Sequence, residues 1–171
     1  MIFRLSQKIA KKIKVGPTES PPLDANQYAD WSAHLFIADR TQYVILTNTA
    51  SLYSMVMYGR GIANDNQFIK AALDALHEFM ADDGQEFIFR RFIAPSSATV
   101  QFSKALNRSV TGSMNDLVYH AQMWLTEGES SPFDASCKLN EMPMSALKYA
   151  NPREVFKGLQ VEHEMAERDE I

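Results

Sequence analysis

The chain has 171 residues, of which 46% are hydrophobic, and a formal net charge of −4. A chain of this size buries one core and is normally one domain, and its apolar fraction excludes a disordered polymer. The acidic balance gives no general support for nucleic-acid binding, and a single cysteine, Cys137, excludes an intrachain disulfide and a CxxC metal site.

The lone thiol fits a reducing compartment. The first residues, MIFRLSQKIAKKIKV, do not read as a signal peptide, because lysines interrupt the apolar positions. No stretch is long and apolar enough to span a bilayer. The expectation is a cytoplasmic protein with no membrane partner.

Ile2 to Leu5 reads as a short strand, with Ser6 as the N-cap of a helix. Ile9, Ala10 and Ile13 form its apolar face, while Lys8, Lys11, Lys12 and Lys14 point elsewhere and Arg4 adds a fifth positive charge. The lysines serve either as a solvated face near a helix C-terminus or as a basic surface for phosphate or an acidic partner. Val15 to Asn26 holds Gly16, Pro17, Pro21 and Pro22 and reads as an ordered loop, with Tyr28 and Trp31 as packing anchors beyond it.

From Ser32 the period changes to that of strands. SAHLFIA, a turn at Asp39-Arg40, and TQYVILTNT read as a hairpin, and LYSMVMY as a third strand. Leu52, Ser54, Val56 and Tyr58 share one face of it; Tyr53, Met55 and Met57 share the other. Both faces are largely apolar, which suits a sheet covered on both sides, or covered on one and paired with a second copy on the other. Gly59-Arg60-Gly61 reads as a turn, far short of a phosphate loop.

Asn64 to Met80 is the clearest helix, capped by Asn64 with Gln67. QEFIFRRFIAP is read as a second helix that stops before Pro95, and TVQFSKA as a strand. Ser113 followed by Asp116 resembles a capping box, which places a helix start there, and Met114, Leu117, Val118, Ala121, Trp124 and Leu125 give that helix an apolar face. Ser130 to Met144 reads as loop plus a short edge strand, since Pro132 and Pro143 oppose a long regular element. Asn151-Pro152-Arg153-Glu154 starts a last helix, and an acidic tail over 161–171 is expected to fray.

The polar junction around that helix start is the candidate ligand site. Asn107, Arg108, Ser109, Ser113, Asn115 and Asp116 could hold an anion, with Arg108 gripping a carboxylate or phosphate and backbone N–H groups adding donors. Alternatively Arg108 pairs with Asp116 and the small polar side chains close the turn. A pocket at this junction with His34 within reach would favour the ligand. Ser113 is not placed as a nucleophile: no G-x-S-x-G elbow surrounds it, and His120 lies roughly 10 Å further along the same helix. His34, His77, His120 and His163 show no metal-ligand spacing. No catalytic set, metal site or cofactor motif is assembled.

The residues Asn107, Arg108, Ser109, Gly112, Ser113, Asn115 and Asp116 resemble the N-R-S-x-x-G-S-x-N-D signature of a bacterial family, domain of unknown function number 6933. The N-terminal strand with its lysine-rich helix, and Trp31 leading into paired strands, are similar to that family too. The resemblance covers about residues 2–127 and implies neither an activity nor site residues.

The expected fold is α+β, with residues 1–160 as one domain built on a mainly antiparallel sheet with packed helices. The expected function is a non-enzymatic interaction or regulatory module, acting as a homodimer or with a protein partner. The alternatives are a small-anion-binding protein or enzyme at the Asn107–Asp116 junction, and a weak nucleic-acid binder through the N-terminal basic helix.

Overall fold

The computed structural model describes residues 1–127 and 130–161. Five strands, β1 (Ile2–Leu5), β2 (Asp30–Ala38), β3 (Thr41–Asn48), β4 (Ser54–Tyr58) and β5 (Gln101–Ser103), form one sheet in the order β4-β3-β2-β1-β5. The long pairings, β2 with β3 and β3 with β4, are antiparallel; β1 runs parallel to both β2 and β5. The hairpin closes where expected. Asp39 and Arg40 both take positive φ, 46° and 63°, and this doubly left-handed turn matches the twist of the strands it joins.

Helices cover both faces, and β2, β3 and β4 divide their side chains between two cores. Phe3, Leu5, Trp31, Leu46 and Met55 pack with Ile9 of α1 (Gln7–Lys12), Phe68 and Leu76 of α2 (Asp65–Asp82), and Phe156 of α6 (Pro152–Lys157). Phe36, Ile45 and Val56, on the other face, pack with Met114 and Leu117 of α4 (Arg108–Thr126) and Leu139 of α5 (Pro132–Glu141). The alternation in β4 therefore serves two helical layers. The run after Gly84 is helical, as α3 (Glu86–Ile88) and a π-helical turn over Phe89–Ile93 that buries Phe89 and Ile93. Phe89 and Ile93, with Ile88 and Phe92 beside them, cover the first core, as the helical reading of this run requires.

Two expectations are corrected. The segment from Ser130 to Met144 carries no edge strand: α5 occupies most of it. Ser131 and Asp134 form a reciprocal capping box, and Pro132 sits at the start, where its missing N–H costs nothing. This helix then guards a sheet edge. Asn140 accepts from Ser54 N at 2.7 Å and donates to Ser54 O at 2.8 Å, and Ser136 Oγ accepts from Val56 N at 2.8 Å. Two side chains one turn apart thus stand in for the strand that β4 lacks.

Arg4 is the second correction. It belongs to no basic surface: only 1% of it is exposed. Its Nε and Nη2 donate to the buried Asp30 carboxylate, each at 2.8 Å, and Nη1 and Nη2 donate to the carbonyls of Pro21 and Pro22 at 2.8 and 3.0 Å. The planar fork suits a carboxylate bidentately and ties the proline loop to β1 and β2.

Near the chain's other end, Asn151 caps α6 and Phe156 stacks on Tyr53 with ring centroids 4.2 Å apart. Burial pushes the Tyr53 phenol well above its usual range, so it stays a donor to Asp83, which Arg153 also grips. The acidic tail beyond Val161 lies outside the described residues.

Candidate functional site

The polar junction is the start of α4, but the helix begins earlier than its serines suggest. Asn107 is the N-cap: its backbone is extended and its side chain accepts from Val110 N at 3.0 Å. Thr111 donates to the Asn107 carbonyl at 3.2 Å. Ser113 is therefore no cap. It lies in the second turn, 9% exposed. An asparagine caps as well as a serine, and β5 ends at Ser103, so a short turn suffices before the helix starts. Gly112 marks no break, since a Cβ there would meet nothing within 4 Å.

Arg108 and Asp116 do not pair. Eight positions of helix separate them by roughly 12 Å of axial rise. Arg108, Ser109 and Asp116 are exposed, and Arg108 forms no hydrogen bond or ion pair with a described residue. Of the six junction residues, the fold turns Asn115 toward a concave surface.

That surface is a cleft of two cavities, of about 610 and 640 Å³, which share Ser6, Gln7 and His34. The first lies between β2 and α4, with Phe36, Asn115 and Val118 among its walls. Gln122 of α4 donates to the Ile37 carbonyl at 3.1 Å and holds the helix against the end of β2. The second cavity lies between α1, the Val15–Pro17 turn and the start of α4, walled by Leu5, Ala10, Val15, Pro17 and Ala105.

Three lysines belong to this cleft: Lys8 to the first cavity, Lys11 and Lys104 to the second. All three are exposed and form no ion pair with a described residue. Among the described residues no Asp or Glu lines either cavity. His34 stands where the cavities meet, half-buried on β2 opposite Ile45. Burial lowers its pKa, so the ring is neutral near neutral pH. It has no hydrogen-bond partner among the described residues. The Ser6 hydroxyl beside it makes no capping bond.

Neutral imidazole, hydroxyl, amides and lysines can bind an anion. Nucleophilic chemistry would need a base hydrogen-bonded to a nucleophile and a third group to orient the base, and His34 has neither contact. The other two histidines among the described residues pack against aromatic rings. His77 stacks on Phe89 at 4.4 Å and lies 3.5 Å from Glu86, and His120 packs near Trp124. Burial raises the Cys137 thiol pKa, the reverse of activation. Among the described residues no group of three or more His, Cys, Asp or Glu is placed to hold a metal, and no helix is long and apolar enough to cross a membrane.

The sequence marked the lysine run and named His34 only as a group within reach of the junction. Lys104 and the apolar second cavity carried no sequence signal, since loop and helix meet there from distant positions.

A family model described as DUF6933, domain of unknown function, matches residues 2–155. The chain belongs to the DUF6933 family. The match runs past Ser130, so α5 and the start of α6 are part of the family's domain, further than the resemblance over 2–127 reached. No curated protein matches the chain. The DUF6933 description carries no activity, so the cleft must be read on its own chemistry.

Proposed function

We propose that this DUF6933 member is a non-enzymatic binding module that holds a small anion in the cleft at His34. One observation carries the reading: among the described residues, three lysines without an ion-pair partner and no acid line a concave site in a protein whose net charge is −4. Such local complementarity concentrates and orients an anion. Asn115 is the junction residue that takes part. A regulatory role follows if occupancy is read by a partner or a second copy. Tyr119 and Met123 leave large exposed surface on α4, which also supplies cleft residues, and so offer a contact for that reading. The same reading takes residues 1–160 as one domain and the cytoplasm as its compartment, in keeping with the free thiol of Cys137.

The competing proposal keeps the anion at the Asn107–Asp116 junction, and the exposed Arg108 guanidinium, without an ion-pair partner among the described residues, favours it. Nucleic-acid binding loses support, because Arg4 is buried and Lys12 donates to Gln42 at 2.9 Å rather than joining an open basic face.

Thermal unfolding at low ionic strength, with acetate or inorganic phosphate as probe, separates the two sites. The native protein and Arg108→Ala should gain equal stability from the anion, and a Lys8→Glu/Lys104→Glu variant should gain none. A full gain in the double lysine variant overturns the cleft reading. Loss of the gain in Arg108→Ala transfers the site to the junction.

A further inference from the structure

We infer that the ligand of this cleft is an amphipathic monocarboxylate with an unbranched aliphatic chain, its head in the first cavity and its chain in the second. The inference rests on the proposed binding role and names the ligand class. The two cavities differ in chemistry although they join at His34. Lys8, Asn115 and Gln122 belong to the first alone, and Ser6 and Gln7 stand between the two. The second has Leu5, Ala10, Val15, Pro17 and Ala105 as walls. Lys11 and Lys104 also line it, where their methylene stems can extend an apolar wall and their ammonium groups add to the positive field of the cleft.

The head group follows from charge. Among the described residues Lys8 is the one cation lining the first cavity, and burial lowers the pKa of His34 and favours its neutral form. One positive charge with several neutral donors matches a monoanion. A phosphate dianion would leave charge uncompensated in a half-enclosed site. The body follows from shape and lining. Among the described residues no Phe, Tyr or Trp lines the second cavity, so a flat base or aryl ring finds no face to stack on there, whereas an alkyl chain gains from every methylene removed from water. Continuity at His34 lets one molecule occupy both cavities.

Titration calorimetry of the native protein with butyrate, hexanoate, octanoate and decanoate, below their micelle concentrations, tests this. Octanol and inorganic phosphate serve as tail-only and head-only probes. Affinity should rise roughly fourfold per methylene until the second cavity is filled. Octanoate should bind at least tenfold more tightly than octanol. In Ala105→Trp, an exposed position on the second cavity, the chain-length dependence should flatten while butyrate binding persists. A flat series in the native protein, with butyrate or phosphate still bound, overturns the chain assignment and leaves the anion site standing. Octanol binding as tightly as octanoate overturns the head-group assignment. No binding by any probe overturns this inference and the proposed cleft together. The native series decides the matter even where the tryptophan variant fails to fold.

Discussion

Replacing Arg4 with methionine is the sharpest test of how this fold is held. The side chain is 1% exposed and its partner Asp30 is fully buried. Arg4→Met keeps the apolar stem but removes two charge-assisted bonds to Asp30 and two bonds to the Pro21 and Pro22 carbonyls. Asp30 then keeps only the backbone N–H of Asp24, at 3.0 Å, and remains a buried charge. Removing one member of a buried ion pair costs about 3–5 kcal/mol, chiefly through the charge left behind. Small domains have about 5–15 kcal/mol in all, so the loss is a large share. Urea unfolding followed by the fluorescence of the buried Trp31 gives the cost as a shift in midpoint at unchanged slope. The double variant Arg4→Met/Asp30→Leu should recover about 1–3 kcal/mol, because it removes the stranded carboxylate. A single-variant cost below about 1 kcal/mol, or a double variant no better than the single, would refute the electrostatic account.

Asn140→Ala should cost about 1–3 kcal/mol for each Ser54 backbone group left unpaired, and gel filtration at rising concentration should show self-association through the freed β4 edge. Asn107→Ala should cost about 1 kcal/mol and Ser113→Ala less than about 0.5 kcal/mol; urea midpoints in the reverse order would place the cap at the serine after all. Acid should weaken the protein through His34. Its folded pKa lies below the ordinary 6.5, so as pH falls through 6.5 the unfolded chain takes the proton first and stability declines until the folded pKa is passed. His34→Gln should therefore show a smaller loss between pH 7 and that limit when melting is followed against pH.

What was legible followed from periodicity and turn chemistry. The alternation of Met55, Val56 and Met57 left a sheet covered on both faces as one of two readings, the one the helices on either side bear out, and the four-residue spacing of Ile9 and Ile13 set the buried side of α1. Asn64 and Asn151 were readable caps because their partners lie three residues away. Long-range pairing was not readable. Arg4 looked like one more cation beside four lysines, and its partner Asp30 sits 26 positions on. Ser136 and Asn140 looked like loop residues, while their role is to satisfy a strand 80 and 86 positions earlier. At the junction, serines competing for the cap hid the asparagine that takes it. The cleft was half visible: the lysine run and Asn115 were singled out, but Lys104 reaches them only through the parallel pairing of β5 with β1.

Amide chemical-shift mapping of the native protein titrated with octanoate tests the central claim most directly, because it reports where the anion sits. The account predicts shifts concentrated at Ser6 to Lys8, His34, Lys104, Ala105 and Asn115. Shifts confined to Asn107, Arg108 and Ser109, or spread evenly over the surface, would contradict it.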